Sequence, residues 1–125
     1  MDQKFYKCPI CGQIITKINA TQVPVVCCGQ PMQELVAGTV EASHEKHIPC
    51  YTVANNIVTV TVGSVEHPMI AEHFIEWIWI KTTNGEKLQY LKPEMQPKAE
   101  FAIMQNEKVL AVYAYCNLHG LWKAE

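Results

Sequence analysis

The sequence has no run of lysine or arginine, and its 125 residues carry a formal charge of only −2. A nucleic-acid or anionic-membrane partner needs a basic stripe, so neither is expected, and any charge effect has to be local. The segment Met1–Cys8 is polar and lacks the apolar stretch of an export signal, while Phe74–Ile80 is interrupted by Glu76 and far too short to cross a bilayer. A cytoplasmic protein is therefore expected. Convincing helical periodicity is missing too, which leaves β-structure. Cysteine is sparse outside one region. Of six residues, Cys8, Cys11, Cys27 and Cys28 lie within the first 28, and Cys50 and Cys116 stand alone in the remainder. That uneven distribution, with no export signal, argues for reduced thiols and metal ligation over a secreted disulfide framework.

What is present divides near residue 36. Residues 1–36 hold the clustered cysteines, Gly12 and Gly29 after each pair, and Pro9, Pro24 and Pro31. So short a segment cannot bury a core, and a metal has to hold it together. Residues 37–125 read as short strands separated by turns. Ile57–Val62 sets Val58, Val60 and Val62 against Thr59 and Thr61, the period-two signature of a half-buried strand. Phe74–Thr82 and Glu86–Leu91 flank Asn84-Gly85, a strong hairpin signal, and Ala99–Met104 with Lys108–Tyr115 are expected to form a second hairpin across Gln105-Asn106. Trp77, Trp79, Tyr113, Tyr115 and Trp122 fit the strand patterns as core or interface residues. The expected fold is mostly β: a small metal-binding domain, then an antiparallel β-sandwich of about seven strands with immunoglobulin-like topology and no inter-sheet disulfide.

Cys8-Pro9-Ile10-Cys11-Gly12 is a knuckle. Two thiolates so spaced converge on one ion, and the glycine permits the backbone turn that brings amides toward sulfur. Cys27-Cys28-Gly29 is less regular, because adjacent cysteines do not naturally point to one place. A tetrahedron through both should be strained in its S–metal–S angles, unlike a zinc ribbon with two knuckles. A zinc clip stays open on spacing alone. A vicinal disulfide between Cys27 and Cys28 would leave Cys8 and Cys11 without partners.

The remaining chemistry lies in Glu45-Lys46-His47, His67-Pro68-Met69, His73 and Cys116-Asn117-Leu118-His119-Gly120. A structural zinc site is normally closed by four ligands, so four imidazoles plus a thiolate point to a redox-active ion, iron ahead of copper. Two neighbours compete for a place in that set. His44, three residues before His47, would chelate only from a helix, and none is expected there. Cys50, three after His47, falls where a small buried apolar residue would serve. Cys116 is preferred because it shares one turn with His119.

Together these motifs resemble the desulfoferrodoxins, the two-iron superoxide reductases, over essentially the whole chain. The resemblance implies that residues 1–36 form a desulforedoxin-like, rubredoxin-like domain with a distorted tetrahedral iron on Cys8, Cys11, Cys27 and Cys28. It implies that residues 37–125 form the catalytic sandwich, with His47, His67, His73 and His119 in the equatorial plane of a square-pyramidal ferrous centre. Cys116 would be the axial sulfur, and the opposite position would be open. Two mononuclear irons and no organic cofactor follow, with superoxide as substrate, rubredoxin or a similar small carrier as electron donor, and a homodimer paired through the small domains. The implied role is detoxification in an anaerobic or microaerophilic cell.

The implied reaction takes one superoxide, one electron and two protons to hydrogen peroxide, without the dioxygen that a dismutase makes. Neutral imidazoles hold iron without cancelling its charge, and a thiolate opposite the open position pushes electron density toward it. Lys46 would attract the small anion, and Glu45 would close the open face once the iron is ferric. Two other classes stay open: a pure electron carrier, and a zinc-clipped interaction module on a sandwich.

Overall fold

Short strands make up most of the fold, some alternating apolar with polar residues as in Ile57–Val62, and the computed structural model describes residues 3–38 and 44–125, the side chains of His44 and Glu45 excepted. The chain folds as two units, Met1–Val36 and Ala37–Glu125. In the first, β1 (Phe5–Lys7), β2 (Ile14–Thr16) and β5 (Gln33–Leu35) form an antiparallel sheet in the order β2-β1-β5, while β3 (Val26–Cys27) and β4 (Gln30–Pro31) make a separate tight hairpin. Among its described apolar residues only Phe5, Cys8 and Met32 are buried. Three such side chains, at roughly 1.5–3 kcal/mol each, fall well short of the entropy cost of ordering the segment.

The first described element of the second unit is a single helical turn, α1 (His44–His47). This corrects the expectation of no helix, since one turn is too short to show any periodicity. Seven strands follow: β6 (Pro49–Ala54), β7 (Ile57–Val62), β8 (Ile75–Thr82), β9 (Gly85–Tyr90), β10 (Lys98–Ala102), β11 (Val109–Cys116) and β12 (Gly120–Ala124). They form two antiparallel sheets, ordered β10-β7-β6 and β12-β11-β8-β9. The fourth strand of the sandwich thus lies beside the third, where a constant-type immunoglobulin domain would place it on the other sheet. The core runs between the sheets. Val58, Val60 and Val62 of β7 meet Ile78 and Ile80 of β8, Val112, Ala114 and Cys116 of β11, and Ala99 and Phe101 of β10.

Two local expectations are corrected. The β8–β9 hairpin forms, but Thr82 pairs with Gly85, so the turn is centred on Thr83-Asn84, one residue earlier than expected. Gly85, at φ 145°, supplies a backbone conformation that other residues avoid. The second hairpin does not form. β10 pairs with β7, Ala99 opposite Val60 and Phe101 opposite Val58, whereas β11 pairs with β8 and β12. Residues 103–108 therefore cross between sheets. The reason lies in burial: Ala111–Cys116 is buried throughout and needs strands on both edges, which a two-stranded hairpin cannot give.

The crossover is pinned to the β8–β9 turn. The Thr82 hydroxyl donates to the Glu107 carboxylate, the Met104 amide donates to Glu107 Oε1 at 2.8 Å, and the Thr83 amide donates to the Lys108 carbonyl at 2.9 Å. Donation from Thr82 holds the Glu107 carboxyl below its ordinary pKa. A depressed folded-state pKa contributes stability at neutral pH that is lost as the pH falls through that pKa. Thr82→Val should therefore lower the Tm by several degrees at pH 7, and the gap to wild type should narrow in acid; a gap independent of pH in thermal melts would refute the assignment.

Candidate metal centres

Cys8, Cys11, Cys27 and Cys28 bring their sulfurs within 4.8 Å of one another. The knuckle is closed by the Gly12 amide donating to the Cys8 carbonyl at 3.1 Å, with Gly12 at φ 81°. This turn aims the Ile10 and Cys11 amides at Cys8 Sγ, each at 3.4 Å. Donation from Cys11, reinforced by Ile10 and opposed by burial, brings the Cys8 thiol down to about 6. Cys27, crowded by the sulfurs of Cys11 and Cys8, is pushed up to about 12. The adjacent pair converges through the backbone: Cys28 sits at φ 54° and Gly29 at φ 76°. A left-handed non-glycine residue costs on the order of 1–2 kcal/mol, so this geometry has to be offset by what the sulfurs bind. The Cys11–Cys27 and Cys27–Cys28 sulfur separations are 3.6 and 4.0 Å. They bracket the edge of about 3.8 Å of a tetrahedron with metal–sulfur bonds of roughly 2.3 Å.

The second site lies at one end of the sandwich, where strand ends meet. Pro49 at the start of β6 pairs with Val62 at the end of β7, and Cys116 at the end of β11 pairs with Ile75 at the start of β8 and Gly120 at the start of β12. His47 precedes β6, His67 and His73 lie on the β7–β8 connection, and His119 lies on the β11–β12 turn. A register shift between Tyr115 and Cys116 marks a bulge in the β8–β11 ladder beside the thiol.

The four imidazoles form a ring. Consecutive centroids, His47–His67, His67–His73, His73–His119 and His119–His47, are 4.6, 4.7, 5.0 and 4.8 Å apart, with planes crossed at 78° to 88°. Across the ring, His47 and His73 are 6.2 Å apart and nearly parallel at 28°. Ligating atoms of His47, His67, His73 and Cys116 lie within 4.8 Å of one another. His119 joins at the margin through Nδ1, which is 3.1 Å from His47 Nε2 and 4.0 Å from Cys116 Sγ. Neighbouring nitrogens of a square of metal–nitrogen bonds near 2.1 Å would be about 3.0 Å apart.

The protonation pattern fits a cation. His67 Nδ1–H donates to the Pro68 carbonyl at 2.7 Å, leaving Nε2 as the lone-pair nitrogen. Nε2 of His67 and of His73 are buried without a hydrogen-bond partner. Burial pushes His67 down to about 4, and burial followed by the charges of His119 and Lys46 lowers His73, so both rings present neutral nitrogen. Burial raises the Cys116 thiol against donation from the Leu118 and His119 amides. A bound cation inverts that balance and favours thiolate.

Lys46 is exposed, and its charge is felt at His73. The side chains of Glu45 and His44 lie outside the described residues. Cys50 belongs to neither cluster and is exposed, which corrects its expected burial: on β6 Pro49 is buried and Tyr51 half-buried, and Cys50 between them points out. The sequence reading missed Trp122 as part of the site. Its ring stacks on His47 at 4.9 Å, and its indole N–H donates to the His119 carbonyl at 3.0 Å. Its place three residues after His119 was the available signal.

The desulfoferrodoxin family profile matches residues 39–125, and the desulfoferrodoxin N-terminal domain profile matches residues 2–35. A desulfoferrodoxin of Nitratidesulfovibrio vulgaris is 45% identical over 122 residues, covering 98% of this chain and 95% of that one. A desulfoferrodoxin homolog of Archaeoglobus fulgidus is 43% identical over 119 residues, covering 95% of this chain and 94% of that one. The crystal structure of the superoxide reductase from Treponema pallidum superposes with a TM-score of 0.85 at 34% identity, covering 100% of both chains. With both profiles matched in order and both ligand clusters assembled, this chain belongs to the desulfoferrodoxin family.

Proposed function

We propose that this protein is a superoxide reductase, converting superoxide to hydrogen peroxide with one electron and two protons and making no dioxygen. The observation that carries the reading is the crossed ring of four imidazoles with a buried thiol against it. We assign His47, His67, His73, His119 and Cys116 as ligands of the reactive iron, and Cys8, Cys11, Cys27 and Cys28 as ligands of the other. Iron held by these four imidazoles and the Cys116 sulfur would supply the single electron. The protein's part is electrostatic: neutral imidazoles leave the metal's positive charge intact, and the Leu118 and His119 amides oppose the burial that favours the Cys116 thiol, so that a bound cation would tip it to thiolate.

Lys46, exposed and close enough to affect His73, is the cation assigned to draw in the anionic substrate. Glu45, its neighbour in sequence, is the carboxylate assigned to close the open position once the iron is ferric. The reading extends to rubredoxin or a similar small carrier as donor, a cytoplasmic location and a homodimer. Ile18, Val23 and Val26 are apolar and exposed on the first unit, and a second copy is a partner that would cover such side chains.

The direct test is product yield when reduced, iron-loaded protein receives a limiting amount of superoxide under argon. One peroxide per superoxide without dioxygen is expected, and half that yield with dioxygen evolved would mean dismutation instead. Lys46→Ala should slow the second-order reaction with superoxide several-fold, most at low ionic strength, with the metal spectrum unmoved. An unchanged stopped-flow rate would remove the steering role. In Cys11→Ser, metal analysis should find the iron content reduced by one per chain, with the four-thiolate absorbance lost and the Cys116-to-iron charge-transfer band retained; loss of both signals would show that the two centres are not independent.

A further inference from the structure

Where β11 ends, the backbone ladder to the neighbouring strand stops and a side chain continues it. Cys116 opposite Ile75 is the last paired position of β11 and β8. Beyond it the Asn117 amide N–H donates to the Phe74 carbonyl at 3.2 Å. The Asn117 side chain then takes over. Its Oδ1 accepts from the Phe74 amide at 2.9 Å, and its Nδ2 donates to the Glu72 carbonyl at 3.0 Å. The side-chain amide thus stands in for a peptide group, using one acceptor and one donor on the peptide units on either side of His73. The turn that carries His73 is closed on itself as well, Ile70 and His73 exchanging amide-to-carbonyl bonds of 3.1 and 3.1 Å. A closed turn moves as a body, so the grip of Asn117 fixes where the His73 ring stands.

We propose that Asn117 is a positioning residue that sets the His73 imidazole against the Cys116 sulfur, tying the segments that carry these two assigned ligands together through three hydrogen bonds. The inference rests on the ligand assignment made above. Asn117 adjoins Cys116 in sequence and reaches across more than forty residues to the segment bearing His73. The requirement is specific to a carboxamide. Aspartate keeps the acceptor for the Phe74 amide but sets a negative oxygen against the Glu72 carbonyl, and alanine removes both bonds.

The test uses the full iron-loaded chain and two readouts that do not involve superoxide: the energy and width of the thiolate-to-iron charge-transfer band in the ferric protein, and the rate at which a chelator removes ferrous iron from the imidazole site. Asn117→Ala should shift or broaden the band and weaken iron retention by roughly 10–100-fold, the usual effect of removing a group that orients a ligand. Asn117→Asp should do the same, by a smaller factor. Thr82→Val, which loosens the sandwich at the Glu107 contact, serves as the stability control and should leave band and release rate at wild-type values. If Asn117→Ala matches wild type in both readouts, or moves them no more than Thr82→Val does, the proposal is overturned. If Asn117→Ala fails to fold, Asn117→Asp is judged by the same two outcomes. Because neither readout uses turnover, the result stands apart from the peroxide yields that decide the enzymatic reading.

Discussion

The structure depends on holding several lone pairs together in a dry place. Nε2 of His67 and of His73 are buried without a hydrogen-bond donor, and the Cys116 sulfur beside them is fully buried. Each unpaired polar atom costs on the order of 1–3 kcal/mol, and facing donor atoms add mutual repulsion. Only a cation relieves all of these at once. The fold around the site therefore has to resist the tendency of the ring to spread, and it does so by placing every contributing segment at one end of the sandwich, just off paired strand ends. Short distances from rigid ladders to ligand atoms are what give such a site its precision.

Supports behind the ligands complete this. The Pro68 carbonyl fixes the tautomer of His67, Trp122 stacks on His47 while holding the His119 carbonyl, and Asn117 grips the peptide units around His73. Two of these three come from the β11–β12 segment that also carries Cys116 and His119. One loop and its following strand thus control the thiol, one imidazole directly, and two more through neighbours.

The motifs themselves were legible in the sequence because metal chemistry restricts residue type and spacing: a knuckle of two cysteines, and imidazoles beside proline and glycine, have few other uses. The strands were legible where one face is apolar, as in Val58, Val60 and Val62. The sequence misled where local pattern had to yield to tertiary pairing. Gln105-Asn106 looks like a hairpin turn, yet the segment crosses between sheets because β11 is buried throughout and takes β8 and β12 as neighbours. Cys50 looked like a core position, and the alternation of β6 turns it outward. Trp122 left only its closeness to His119 as a signal and Asn117 only its place beside Cys116, because nothing in a linear pattern says which backbone carbonyl a side chain will reach.

The two clusters solve the same problem by different means, and their chemistry differs accordingly. The thiol site is shaped by backbone: left-handed conformations at Gly12, Cys28 and Gly29 turn four sulfurs inward, and amides at Cys8 stabilise charge. Four sulfurs within 4.8 Å of one another suit a closed four-ligand site, which would leave an ion no position for a substrate. The imidazole site is shaped by side chains on a rigid scaffold, and its donors lie in a ring with a sulfur against it. The described donors there are four imidazoles and one sulfur, and Lys46 brings positive charge to the neighbourhood of that ring. The chain's net charge is negative, so any attraction of a small anion would have to come from local charge. On the proposed reading, a lysine next to a ligand would act where screening over about 8–10 Å of saline matters least, so one local charge could outweigh the weak repulsion of the whole.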